Sequence, residues 1–214
     1  MELVLEDITK KYKDKTAVQN VSSTLHSGQL IGLIGKNGAG KTTLLKLLST
    51  ILKPTSGRIL LDGQDIVENP NVMRSTVGYL PQEVSSYPNL TISEYLSYIA
   101  SVKGIKKKDA EKQINSLLTD FHLENAKGKR MGNCSGGMKQ RVGIICALLG
   151  DPQIIIIDVK YSIVLIVYGV YRVREKLKIG TTYTNRKKNV YDVTWKRIRK
   201  ILKSGIGSGS FFMP

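Results

Sequence analysis

A glycine-rich segment between an apolar run and an amphipathic stretch limits the folds that this chain can adopt. Residues 35–42 read Gly-Lys-Asn-Gly-Ala-Gly-Lys-Thr and fit the pattern G-x-x-x-x-G-K-[ST]. The glycines let the backbone curl so that successive N–H groups face one anion, and a helix starting at Lys41 adds partial positive charge. Residues 29–34 predict a buried strand and residues 41–52 a helix. The sequence therefore predicts a strand, a phosphate-binding turn and a helix in succession.

The other patterns up to residue 158 alternate between strand and helix. Strands are predicted at 2–8, 20–25, 58–62, 77–80 and 154–157. The last is a run of isoleucines, typical of a fully buried parallel strand. Residues 91–149 are predicted to be helical, with a capping box at Thr91 and Glu94, an apolar face within 109–118, and a helix capped by Ser135. This succession indicates the α/β class with a helical insert.

Three side chains in this framework suit phosphate and metal chemistry. Lys41 is expected to reach the β- and γ-phosphates of a nucleotide, and Thr42 to ligate Mg²⁺. Asp158 follows the isoleucine run, at the edge where α/β sheets bind ligands, so it predicts a second Mg²⁺ ligand. The alternative for Asp158 is a carboxylate that only caps a turn.

A second glycine pair follows Ser135 at the start of a predicted helix. Gly136 and Gly137 would expose helix-terminal N–H groups to an anion. The alternative is a plain N-cap, which the residues by themselves favour.

The charge of the chain is unevenly placed. Of its 214 residues, 33 are Lys or Arg and 17 are Asp or Glu, a net charge of +16 that suggests an anionic partner. Residues 1–158 carry only +5, whereas residues 159–214 carry +11 and eight of the 14 aromatic residues. Two cysteines exclude a disulfide scaffold, and we expect neither a signal peptide nor a membrane span. The composition therefore divides the chain near Asp158.

Four motifs in order make residues 1–158 resemble the ATP-binding subunits of ABC transporters. Residues 35–42 match the Walker A motif, and residues 154–158 match Walker B. Residues 134–141 (Cys-Ser-Gly-Gly-Met-Lys-Gln-Arg) are similar to the L-S-G-G-Q signature, with Cys134 and Met138 as departures. Gln82 matches the Q-loop. The guanine motif N-K-x-D is absent from the sequence.

The resemblance implies a P-loop NTPase sheet with an ABC-type helical insert at about 91–149, and a set of site residues. Tyr12 would stack on adenine, and the ATP-binding loop would comprise Gly35, Lys36, Asn37, Gly38, Ala39, Gly40, Lys41, Thr42 and Thr43. Mg²⁺ would be held by Thr42, Gln82 and Asp158. Ser135, Gly136 and Gly137 would form the signature that covers ATP on a second copy.

The resemblance also implies partners and a location. Two nucleotide-binding domains would pair head to tail, and their closure would drive a separate transmembrane permease that the helical insert contacts. The protein would lie in the cytoplasm, on the inner face of the membrane. The signature resembles that of drug or peptide efflux subunits.

The match to the family pattern stops at Asp158. The position of the family's catalytic glutamate is Val159, which cannot accept a proton, so we expect ATP hydrolysis to be weak or absent. The D-loop is missing, and the switch histidine has no candidate, because His26 and His122 both lie upstream. The C-terminal part of the sheet is therefore expected to be missing or replaced, in a truncated or degenerate chain.

Two explanations suit residues 159–214, a basic, aromatic-rich tail. Either the reading frame changes after codon 158, or the tail is a genuine basic module of a divergent nucleotide-binding protein. Within the tail, residues 163–167 predict a strand, and residues 196–203 are basic with helical periodicity. Two alternatives concern the function of the whole chain. One is a protein that binds nucleic acid through the tail, but residues 1–158 contain no groove-reading motif, so nucleic acid is not an expected partner. The other is an intact transport ATPase with a functional tail.

Overall fold

The structure is a computed structural model that describes residues 1–27, 30–84, 87–158, 163–168 and 210–212. The described residues divide into two compact units. The first contains residues 1–27, 30–82, 153–158, 163–168 and 210–212, and the second contains residues 83–84 and 87–152.

The first unit is built from strands and two helices. Its strands are β1 (Glu2–Tyr12), β2 (Lys15–His26), β3 (Leu30–Ile34), β4 (Ser56–Leu61), β5 (Gln64–Asp65), β6 (Val77–Leu80), β7 (Ile154–Ile157), β8 (Ile163–Tyr168) and β9 (Ser210–Phe212). Its helices are α1 (Lys41–Leu48) and α2 (Pro70–Thr76). The strands form an antiparallel sheet in the order β2-β1-β4-β5 and a mixed sheet in the order β6-β7-β8-β3-β9.

The antiparallel sheet is longer than the sequence predicts. The strands predicted at 2–8 and 20–25 extend into a long hairpin that turns between Tyr12 and Lys15, which pair with each other. Asp62 and Gly63 form the tight turn between β4 and β5, and both have the positive φ that such a two-residue turn requires, 47° and 80°. This sheet places Tyr12 at the end of β1.

The mixed sheet corrects one prediction. β7 is parallel to β6 as predicted, but it is antiparallel to β8 on its other side. Only five residues join β7 to β8, whereas a crossover between parallel strands needs a dozen or more. The strand predicted at 163–167 is confirmed as β8, which pairs antiparallel with β3 and so lies between β7 and β3.

Helix α1 is shorter than its apolar periodicity predicts. The pattern extends over 41–52, but the helix ends at Leu48 and Thr50 adopts a left-handed φ of 55°. The N–H groups of Ile51 and Leu52 instead return to the carbonyl of Lys46, which closes the helix end. The leucines of α1 then pack with residues of both sheets in one buried core, whose members include Leu3, Leu33, Leu45, Leu48, Ile59, Ile154 and Ile156.

The second unit consists mainly of helices, as predicted for residues 91–149. They are α3 (Ile92–Val102), α4 (Lys107–Asp120) and α5 (Gly136–Leu148), with short 3-10 turns at Glu124–Ala126 and Met131–Asn133. The capping box of Thr91 and Glu94 and the N-cap at Ser135 are confirmed. The unit has its own buried core, which includes Ile92, Leu96, Ile114, Leu118, Val142 and Ile145. Among the described residues no helix has both the length and the apolar character needed to cross a bilayer.

Candidate nucleotide-binding site

The glycine-rich segment forms the turn between β3 and α1 that its pattern predicts. The Lys41 side chain folds back over this turn, and its Nζ donates to the carbonyls of Gly35 and Lys36 at 2.6 Å each. An ammonium group has three donors, so two of them are taken by the loop itself. The loop is thus curled around the Lys41 ammonium group, which is the group expected to bind phosphate.

The close approach of β2 to this loop explains why position 40 is a glycine. Gly40 caps α1 with a φ of 84°, a region in which a side chain is strained. A Cβ on Gly40 would also overlap the carbonyl oxygen of Ala17 and crowd Val18 on β2. The hairpin that carries Tyr12 therefore packs against the loop at Gly40.

The carboxylate of Asp158 links the Walker B segment to α1. The Asp158 N–H donates to the Leu80 carbonyl at 2.9 Å, which extends the β6–β7 ladder by one residue. Its Oδ1 then accepts a hydrogen bond from the Thr42 hydroxyl at 3.2 Å, and its Oδ2 one from the Tyr79 hydroxyl at 3.5 Å. Motifs that lie 116 residues apart in the sequence meet at this carboxylate.

The setting of Asp158 is unfavourable for a lone charge. The residue is only 3% exposed, and burial raises the pKa of its carboxyl, although the Thr42 hydrogen bond and the charge of Lys46 act in the opposite direction. Burial, together with the negative charge of Asp158, raises the pKa of Tyr79 to about 12. A buried carboxylate whose side-chain hydrogen bonds come from two hydroxyls would be stabilised by a cation.

These groups fit Mg²⁺ bound together with a nucleotide. Mg²⁺ prefers oxygen ligands and is usually held by one or two carboxylates plus phosphates and water. The Thr42 hydroxyl and the Asp158 carboxylate supply such oxygens side by side. In the part of the chain that the structure describes, no group of three or more His, Cys, Asp and Glu could hold a metal alone. Phosphate and water would supply the other ligands of a cation at this position.

The first unit also contains the remaining predicted residues of the ATP-binding loop, the Q-loop glutamine and Tyr12. Gln82 is exposed just beyond β6, and Asp158 follows the parallel neighbour β7, so both lie at the same sheet edge. Thr43 is the next residue of α1 after Thr42, and the loop tip at Lys36, Asn37 and Gly38 is exposed. Tyr12 is 44% exposed, and the ammonium of Lys10 lies 5.3 Å from the centre of its ring.

The signature residues belong to the second unit. Ser135 is the N-cap of α5 and accepts a hydrogen bond from the Met138 N–H at 3.3 Å. Gly136 and Gly137 are exposed, and a Cβ built on either would meet no atom within 4 Å. Nothing within the described structure therefore requires glycine at these two positions, which leaves room for another molecule to approach the helix start.

Two predicted features cannot be placed, and one contact was not predicted. Val159, at the general-base position, and the basic stretch 196–203 lie outside the described residues. Tyr79 was not predicted to take part in the site. The signal that could have found it is strand register, since Tyr79 pairs with Ile156 and Asp158 lies two residues further along the same face.

Comparison with known proteins gives consistent matches. A family model described as ABC transporter matches residues 18–159. The uncharacterized ABC transporter ATP-binding protein YxlF of Bacillus subtilis (strain 168) is 39% identical over 156 residues, which are 73% of this chain and 51% of that protein. The probable multidrug ABC transporter ATP-binding protein YbhF of Escherichia coli (strain K12) is 36% identical over 159 residues, 73% of this chain and 27% of that protein.

A solved structure shows the same fold. The dimeric post-hydrolysis state of the ATP-binding cassette MJ0796, bound to ADP and Pi, superposes with a TM-score of 0.70 at 21% identity and covers 99% of this chain and 87% of its own. The fold and the two motif-bearing segments define a P-loop nucleotide-binding domain. The chain belongs to the ABC transporter family, as an ATP-binding protein, and spans about half or less of the length of the two relatives described.

Proposed function

We propose that this chain binds Mg·ATP at the turn between β3 and α1. The observation that carries the proposal is the hydrogen bond between Thr42 and Asp158, because it brings Walker A and Walker B together. Both segments lie in the first unit, beside the lysine whose ammonium group is held at the mouth of the loop.

Each residue would have a distinct role in binding. Lys41 would exchange the carbonyls of Gly35 and Lys36 for β- and γ-phosphate oxygens, which are stronger partners for an ammonium because they are charged. The loop N–H groups and the start of α1 would bind the same phosphates. Thr42, Asp158 and Gln82 would hold Mg²⁺, which would neutralise phosphate charge, and Tyr12 would stack on adenine.

Hydrolysis by this chain is proposed to be weak or absent. The reason is the identity of Val159, since a side chain without a proton acceptor cannot serve as a general base. Loss of a general base typically lowers the rate by about 10²–10⁴. Nucleotide binding requires no such base and should persist.

A second copy of the chain is the proposed partner for the signature segment. Support comes from Gly136 and Gly137, which are exposed and open although no local contact requires glycine there. The cassette MJ0796, which shares the fold, is dimeric. A head-to-tail pair would place Ser135 of one copy over the nucleotide of the other.

The transport role is proposed from the family. ATP binding would drive a separate membrane permease, which the helical residues 91–149 would contact. The permease would hold the chain at the cytoplasmic face of the membrane. Efflux of a drug or peptide is the proposed direction and cargo. Support for it is limited to the signature sequence and to the printed name of YbhF, a probable multidrug transporter protein.

The proposal is tested by measuring ATP binding and phosphate release with wild-type protein and Lys41→Ala. Wild type should bind Mg·ATP, Lys41→Ala should not, and phosphate release should be equally low in both. Release by wild type that disappears in Lys41→Ala would show instead that the chain is a working ATPase.

A further inference from the structure

We infer that Tyr79 is a positioning residue, whose hydroxyl fixes the orientation of the Asp158 carboxylate for Mg²⁺. The inference rests on the proposed function, because it concerns how that site is prepared for the metal. It gives a role to a residue three positions before Gln82 to which the sequence analysis assigns none.

Strand register brings the two residues together. In the parallel pair β6–β7, Tyr79 is opposite Ile156, and Leu80 is opposite Ile157. Side chains alternate between the faces of a strand, so Asp158 shares the face of Ile156 and therefore of Tyr79. A tyrosine is long enough to span the diagonal to a residue two positions along the neighbouring strand. The hydroxyl consequently arrives at the carboxylate, 3.5 Å from Oδ2.

Packing restricts where this hydroxyl can be. The Tyr79 side chain is partly buried and packs against the core that contains Ile154 and Ile156. A ring packed in this way has few orientations, so its hydroxyl is presented at one position rather than over a wide arc. Replacing the tyrosine by phenylalanine would remove only the polar contact and keep this packing.

The two oxygens of Asp158 are held by different elements. Thr42 on α1 donates to Oδ1, and Tyr79 on β6 donates to Oδ2. Contacts at both oxygens favour one orientation of the carboxylate. When the Thr42 hydroxyl ligates Mg²⁺, it would no longer hold the Asp158 carboxylate by the present contact. Of the two hydroxyl donors, Tyr79 would then be the one that still restrains Asp158. Groups that hydrogen-bond to metal ligands commonly change metal affinity strongly when they are removed.

The test compares ATP affinity with and without the metal. Tyr79→Phe and wild type are titrated with ATP by calorimetry, first in EDTA and then in excess Mg²⁺. Tyr98→Phe is the matched control, since it removes the same hydroxyl from an exposed tyrosine of the second unit. We expect Tyr79→Phe to bind ATP like wild type in EDTA but about tenfold more weakly in Mg²⁺, with Tyr98→Phe unchanged in both. The electron paramagnetic resonance spectrum of Mn²⁺ bound with ATP should differ between Tyr79→Phe and wild type.

Other outcomes separate the two proposals. Equal affinities of Tyr79→Phe and wild type in Mg²⁺ would overturn the positioning role while leaving the proposed function intact. A loss of the same size in EDTA and Mg²⁺ would also overturn it, because the hydroxyl would then serve the loop or the fold and not the metal. Failure of wild type to bind ATP under either condition would overturn the proposed function and this inference with it.

Discussion

Gly38 and Gly40 show two different reasons for a glycine in the same loop, which are backbone conformation and space for a side chain. Both have positive φ, 84° and 88°, but a Cβ on Gly40 would overlap Ala17, whereas one on Gly38 would meet open space. We therefore expect Gly38→Ala to lower the free energy of unfolding by about 1–2 kcal/mol from backbone strain alone. Gly40→Ala should lower it further, because β2 or the loop must also move. Urea unfolding of the two variants measures the difference, and equal losses would show that β2 does not hold the loop.

The sequence is enough to propose residues whose type and spacing suit one chemistry, but not residues that join the site through geometry alone. Lys41, Thr42 and Asp158 could be proposed because phosphate and Mg²⁺ binding call for these types at these spacings. The hydrogen bonds from the Lys41 ammonium to the carbonyls of Gly35 and Lys36 depend on how the loop folds in space, which the sequence pattern does not give. The Tyr79 contact depends on the register between strands distant in sequence, which periodicity alone does not supply.

At the scale of elements, predictions held where local chemistry decides the boundary. Helix α3 begins at Ile92 because Thr91 and Glu94 satisfy each other's backbone donors, a pattern visible in the sequence. Helix α1 ends at Leu48 although the apolar spacing continues, because Thr50 takes a left-handed conformation. Threonine does not favour this conformation, so the sequence does not predict the helix end. The apolar pattern of β7 likewise does not give the direction of its neighbour: β8 is antiparallel because a five-residue connection is too short for a parallel crossover.

The capping box of α3 should contribute a pH-dependent share of stability. The pKa of Glu94 is lowered, mainly because its carboxylate accepts a hydrogen bond from the Thr91 N–H and also one from the Thr91 hydroxyl. A carboxyl whose pKa is lower in the folded state stabilises the fold above its unfolded pKa and loses this effect as pH falls through its folded pKa. We therefore expect the destabilisation caused by Glu94→Ala to shrink as the pH falls from 7 toward 3.

Chemical unfolding at several pH values checks this expectation. The stability difference between Glu94→Gln and Glu94→Ala is the control, since neither variant titrates at this position and the amide oxygen can still accept a hydrogen bond. That difference should vary less with pH than the difference between wild type and Glu94→Ala. A pH-independent effect of Glu94→Ala would contradict the role of the carboxylate.

For the whole molecule, the net charge of +16 does not point to a partner. Residues 159–214 carry +11 of it, and the match to the family model ends at residue 159. The abrupt change in composition at this point is the basis for the hypothesis of an altered reading frame. Translating the other two frames of the gene downstream of codon 158 tests it, because a frame that restores an acidic residue at 159 and a Gly-Leu-Asp D-loop would support it. If neither frame restores the acidic residue and the D-loop, the tail is better explained as a basic module.

Assembly is the property of the whole molecule that the signature glycines should control. A side chain on Gly136 has open space within its own chain, so Gly136→Gln should fold and bind nucleotide normally. In a head-to-tail pair the same side chain would obstruct the partner's nucleotide. We expect Mg·ATP to increase the molar mass of wild type in sedimentation experiments and to leave Gly136→Gln monomeric. A Gly136→Gln protein that dimerises as wild type does would place the contact elsewhere.

The most direct test of the account is the affinity of Lys41→Ala for Mg·ATP, measured by calorimetry beside wild type. Lys53→Ala is the matched control, since it removes an exposed lysine of the same unit outside the loop. We expect wild type and Lys53→Ala to bind ATP equally, and Lys41→Ala to show no detectable binding while it remains folded at the temperature of the titration. A Lys41→Ala protein that binds ATP as tightly as wild type would contradict the assignment of the site.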